Sequence, residues 1–150
     1  MKKITFAFLA LAAVLCFASC KSTATQEDVN NSFYKVYHNY TVDLEGAQTY
    51  TVESGDTLTA ITKKFYGNQN GYYFPLIMIA SSDVVLDPDL ISPGMELTVP
   101  DFDKNIKNAE QAKKLSPYFK DIANVYKIKT TNGAEDIRKE LLSISSTLGK

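Results

Sequence analysis

The sequence has no tryptophan, a single histidine at position 38, and two cysteines, both within its first twenty residues. Each scarcity removes a class of chemistry. With one histidine and no thiol beyond Cys20, neither a Ser/His/Asp nor a Cys/His triad can be assembled in the ordinary way. There is no G-x-S-x-G, no H-E-x-x-H and no phosphate-binding glycine loop with lysine. His38 stands among tyrosines and reads as a structural or exposed residue. Basic charge is scarce too. Sixteen basic residues face seventeen acidic ones, a net of −1, and setting aside Lys2 and Lys3 leaves −3. A nucleic-acid binder needs a basic surface to meet phosphates, so that class is excluded.

The long apolar run is short of a membrane span. From Ile4 to Ala18 only Thr5 interrupts it, and about 20 apolar residues are needed to cross a bilayer. With Lys2 and Lys3 ahead of it, the run predicts a bacterial export signal over 1–19, outside the folded protein. Phe17-Ala18-Ser19-Cys20 resembles a lipoprotein cleavage box, although Leu is usual where Phe17 stands. It predicts Cys20 as a lipidated first residue of the mature chain, the alternative being ordinary cleavage near Ala18-Ser19. Cys16 would go with the signal, so no disulfide is expected and the core alone must hold the fold.

The 150 residues of the whole chain allow one compact domain with appendages. KSTATQEDVNNS is polar and aperiodic, which predicts a tether over 20–32. In FYKVYHNYTVDL, Tyr34, Val36, His38, Tyr40, Val42 and Leu44 alternate, which predicts an extended segment over 33–49 with an edge strand. TYTVE reads as a strand and Gly55-Asp56-Thr57 as a tight corner with Asp56 as helix cap. Leu58, Ile61 and Phe65 form a helical stripe stopped by Gly67. Pro75 opens a second helix through Leu76, Ile77, Ile79 and Ala80. SSDVVLDPDLISPG is a loop, and MELTVP closes as a strand. The order strand, helix, helix, strand predicts an α+β unit, a two-stranded antiparallel sheet with two helices on one face.

Residues 101–150 predict a helical extension of two to three helices. Ser116-Pro117 is expected to open one carrying Phe119, Ile122, Val125 and Tyr126. After the Asn132-Gly133 turn another carries Ala134, Ile137, Leu141, Ile144 and Leu148. These stripes are expected to be intramolecular core, with a protein partner as the alternative. The charge is uneven, −4 over residues 50–100 and +3 over 101–150, and its plain reading is a solvated helical face.

Carboxylates offer two more chemistries. Paired acids can cleave glycosides, but one must be buried in a sizeable cleft, which some 50 residues hardly supply. A cation at Asp83, Asp87 and Asp89 is conceivable because hard cations take loop oxygens, yet D-x-x-x-D-x-D is no standard calcium loop. No catalytic residue, cofactor or metal is therefore assigned.

YTVESGDTLTAITKKFYGN, closed by DPDLISPGMELTVP, closely resembles a LysM (lysin motif) domain over residues 50–100. The resemblance implies a βααβ fold and binding of N-acetylglucosamine polymers, above all peptidoglycan. It implies one groove wall at Gly55, Asp56, Thr57 and Leu58. The other would be Ala80 and Ser81 at the end of the second helix, with Leu90 and Ile91 further on. Many relatives carry Asn where this chain has Ser81-Ser82, and without tryptophan any ring stacking falls to Tyr72 or Tyr73. The expectation is a non-enzymatic cell-envelope protein, membrane-anchored through Cys20, that binds peptidoglycan. The alternatives are a structural or partner-binding protein of this fold without glycan affinity, and a cation-binding one.

Overall fold

The computed structural model describes residues 23–150, so the expected export segment and Cys20 lie outside it. Its elements are α1 (Gln26–Tyr37), β1 (Gln48–Thr51), α2 (Leu58–Tyr66), a 3-10 helix (Asn68–Tyr73) and α3 (Pro75–Ala80). There follow β2 (Glu96–Val99), a π-helical turn (Asp103–Lys107), α4 (Ala109–Val125) and α5 (Ala134–Leu148). The two strands pair antiparallel with Gln48 opposite Val99 and Tyr50 opposite Leu97. The α+β order strand, helix, helix, strand read from the sequence is the order observed. Leu97 and Val99 face inward and are buried, as are Leu58, Ile61, Leu76, Ile77 and Met78 of the two helices. Among the described residues no helix is long and apolar enough to cross a membrane.

The N-terminal reading is overturned. Residues 26–37 are a helix, so neither a strand over 33–44 nor a tether reaching residue 32 is observed. The alternation of Tyr34, Val36 and His38 competes with a second pattern, Val29, Phe33 and Tyr37, which repeats every four residues and lies on one helical face. The helix puts those three in the core and leaves Tyr34 half exposed. Thr25 and Asp28 start it with a reciprocal capping box, which satisfies two otherwise orphaned N–H groups. Residues 40–47 are irregular chain with a turn at Glu45-Gly46. They are pinned by the Tyr40 hydroxyl donating to Asp121 at 2.7 Å and by two hydrogen bonds between Asn105 and the Asp43 backbone.

The C-terminal extension holds two helices that pack on each other and on the LysM-like unit. Leu115, Tyr118, Phe119 and Ile122 of α4 and Leu141 of α5 are fully buried in one continuous core with Phe33 and Phe74. Tyr118 donates to the Pro75 carbonyl at 2.7 Å, tying α4 to the start of α3. The expected helix start at Ser116-Pro117 is also overturned, because α4 begins at Ala109 under an Asn108 cap and Pro117 lies inside it. An interior proline costs about 3 kcal/mol. Burial of the apolar residues on both sides, at about 1.5–3 kcal/mol each, offsets that. Beside it, Ser116 Oγ donates to the Ser145 carbonyl and Ser145 Oγ to the Ser116 carbonyl, at 2.9 and 2.7 Å.

Candidate functional site

The corner between β1 and α2 is built almost wholly from its own residues. Gly55 has a φ of +92°, a left-handed conformation that costs an L-residue about 1–2 kcal/mol and glycine nothing. Asp56 does not cap the helix. Its Oδ2 accepts from the Glu53 N–H at 2.9 Å and from the Tyr50 hydroxyl at 2.7 Å, clamping the turn just before the helix. The cap is Thr57, whose hydroxyl accepts from the Ala60 N–H at 3.1 Å. Asp56 and Thr57 are both good caps, and the turn uses one for each job. The Glu53 N–H first, then Tyr50, hold the Asp56 carboxyl below its usual range. The same bond to Asp56 pushes the Tyr50 hydroxyl up to about 12.

The opposite loop is held from elsewhere in the chain. Lys129, from the turn between α4 and α5, pairs with Asp87 and with Asp89, the latter at 2.7 Å. Lys129 and Asp87 are almost completely buried, whereas Asp89 is more open. Gln26 of α1 donates to the other Asp87 oxygen at 2.8 Å, and Thr131 donates to Asp89 at 3.3 Å. The ammonium also lies over the Phe33 and Tyr126 rings, 5.6 and 5.4 Å from their centroids. One lysine thus joins α1, the 83–91 loop and the C-terminal extension. Nothing in the local sequence marks Lys129 for this role, since its partners lie some forty positions away.

Between the two loops is a pocket of about 200 Å³. Asp56, Thr57, Leu58 and Thr59 form one side, Pro88, Asp89 and Ile91 the other, and Phe74 contributes between them. Two further residues come from the extension, Tyr126 at the end of α4 and Ile137 on α5. The expected residues Asp56, Thr57, Leu58 and Ile91 are therefore brought together. Gly55 shapes the turn beside them without lining the pocket, and Leu90 stands exposed next to Ile91. Leu58 is buried and offers little surface to a ligand.

Ala80 and Ser81 are not part of this pocket. Ser81 is buried, and its Oγ both accepts from the Thr98 N–H at 2.8 Å and donates to the Thr98 carbonyl, fastening the end of α3 to β2. Tyr72 and Tyr73 do not line it either. Tyr73 packs edge-on to Phe102 and Phe119 and faces a separate concavity. Thr59, Phe74, Pro88, Asp89, Tyr126 and Ile137 are the lining residues that sequence reasoning missed. The first four lie inside the matched unit, and the last two had been assigned to core stripes.

Comparison with known proteins settles what the central unit is. A family model described as LysM domain matches residues 50–100.

Residues 50–100 are a LysM domain.

The chain is 47% identical over 55 residues to the potassium binding protein Kbp of Escherichia coli O6:H1, a match taking in 37% of this chain and 36% of that one. It is 33% identical over 89 residues to Esterase Rv1288 of Mycobacterium tuberculosis, covering 58% of this chain and 19% of the esterase. An uncharacterized protein of Deinococcus radiodurans is 40% identical over 55 residues, 20% of its length. The chain thus spans about a third or less of the length of these relatives. No solved structure matches it. The LysM domain supplies most of the pocket lining, and the extension outside the domain supplies the rest.

Proposed function

We propose that this is a non-enzymatic cell-envelope protein whose LysM groove binds N-acetylglucosamine-containing glycan, peptidoglycan above all. The observation that carries the reading is the pocket between the Asp56–Thr59 and Pro88–Ile91 loops. Its lining suits a sugar, which has an apolar ring face and a polar edge. Ile91 and Ile137 are partly exposed and offer apolar surface, while Thr57, Thr59 and backbone groups offer hydrogen bonds. Nothing about the pocket calls for bond cleavage. Its two carboxylates are engaged, Asp56 by Tyr50 and the Glu53 N–H, and Asp89 by Lys129. Lipidation at Cys20 would hold the protein at a membrane face and raise the local concentration of a singly binding module.

Retention on purified peptidoglycan tests the reading. The protein is expected to sediment with the polymer and to be released by chitin oligomers. No retention would leave a LysM fold serving structure or a protein partner. Retention indifferent to chitin oligomers would point to another wall component.

Similarity to Kbp favours a second reading, cation binding. In this chain the acidic loop already has a cation of its own. The Lys129 ammonium takes Asp87 and Asp89, and Asp83 is exposed away from that pairing. A free cation would have to displace the lysine or use other oxygens. Calorimetric titration with potassium and with calcium checks it, and absence of heat with both removes it.

A further inference from the structure

The clasp behind the second pocket wall is unevenly charged. One ammonium, that of Lys129, serves two carboxylates, so one negative charge in the group has no counterpart. Asp87 is sealed at 2% exposure, and both of its oxygens are taken, Oδ1 by Lys129 and the Asp89 N–H, Oδ2 by Gln26. Asp89 keeps 38% of its side chain exposed. Its ties, from Lys129 at 2.7 Å and Thr131 at 3.3 Å, both end on Oδ2. That leaves Oδ1 without a partner among the described residues. Of the three charged groups, Asp89 alone lines the pocket between the loops.

We propose that Asp89 accepts hydrogen bonds from sugar hydroxyls and that Lys129, from outside the LysM domain, is the positioning residue that holds it there. This rests on the glycan reading above and names an acceptor in the same site together with its support. A sugar ring is edged with O–H donors, and an ionised carboxylate binds such donors roughly twice as strongly as a neutral oxygen does. A loop aspartate left to itself samples several rotamers, and ordering it on binding costs affinity. Here the ordering is done in advance by an ammonium that is 3% exposed and lies over the Phe33 and Tyr126 rings. Neutralising that buried ammonium needs one carboxylate, and Asp87 supplies it. The second contact carries its hold outward to the pocket. The other lining carboxylate, Asp56, is held by neutral donors of its own turn and owes nothing to the C-terminal hairpin.

Calorimetric titration of chitotetraose into the full-length chain tests this, beside the urea midpoint of each variant. Asp89→Asn keeps the shape and leaves the Lys129–Asp87 pair intact. Its midpoint should hold while affinity falls roughly tenfold, the difference between a charged and a neutral acceptor. Lys129→Met with Asp87→Leu replaces the clasp by an apolar pair and should also weaken binding. Positioning is read from the combination. Adding Asp89→Asn to that pair should cost about twofold or less, because an Asp89 already adrift has less to lose. An equal cost in both backgrounds means that Lys129 serves only the fold, which overturns the positioning role. Asp89→Asn binding at wild-type affinity overturns the whole proposal, whether or not the clasp variant folds. In either case the glycan reading survives, since the wild type still binds. A wild type that binds no chitin oligomer removes both.

Discussion

The two loops that face each other across the pocket are stabilised in opposite ways. The Gly55–Thr57 corner is local, with every hydrogen bond that shapes it closing within six residues. The Asp87–Ile91 loop leans on Gln26 behind it and on Lys129 and Thr131 ahead of it. One wall is closed by its own segment, and the other is closed by residues from both flanking segments. The LysM domain of this protein is therefore not a free-standing module with decorations. Its second wall is finished by the flanking helices.

The sharpest way to break this asymmetry is Lys129→Met. It strands Asp87 as a buried carboxylate, which costs about 3–5 kcal/mol. A lower urea midpoint is expected, with faster hydrogen exchange in the 83–91 loop than in the 53–58 corner. Adding Asp87→Leu should recover part of the loss, because an apolar pair suits a buried position better than a lone charge.

Changes at the local corner should be smaller. Gly55→Ala meets open space around its new methyl group, so only the positive φ penalises it, by about 1–2 kcal/mol in chemical denaturation. Thr57→Ala removes the cap of α2 and should cost about 1 kcal/mol, with Thr57→Ser restoring most of it. The mildest handle is pH. The Asp56 carboxyl titrates below its ordinary 3.8 in the folded chain, so its contribution is complete above that value. It is lost as pH falls through the lower folded value. Amide shifts of Glu53 and Asp56, followed by NMR through that window, should move together and return on neutralisation.

The same contrast decides what could be read from sequence. The corner was legible because glycine, aspartate and threonine act on neighbours, and the only slip was which of two adjacent caps did the capping. The central fold was legible because its stripes are periodic. The α1 helix was not, since Tyr34–His38 alternates while Val29, Phe33 and Tyr37 repeat every fourth residue. Only the aromatic cluster around Phe74 and Tyr126 chooses between the two. Pro117 misled for a related reason, because tertiary packing overrides its local preference. Lys129, Tyr126 and Ile137 were out of reach of any pattern, as their partners are set by how the C-terminal hairpin docks.

The Thr25–Asp28 capping box has a further consequence, one of reach. With the fold starting at Gln26, only a few residues separate it from Cys20. Six residue steps, from Cys20 to Gln26, extend to about 22 Å at most. A lipid on Cys20 would keep the protein on a short leash, with its body against the bilayer. With so short a lead, the first turn of α1 would stand close to whatever surface held that lipid.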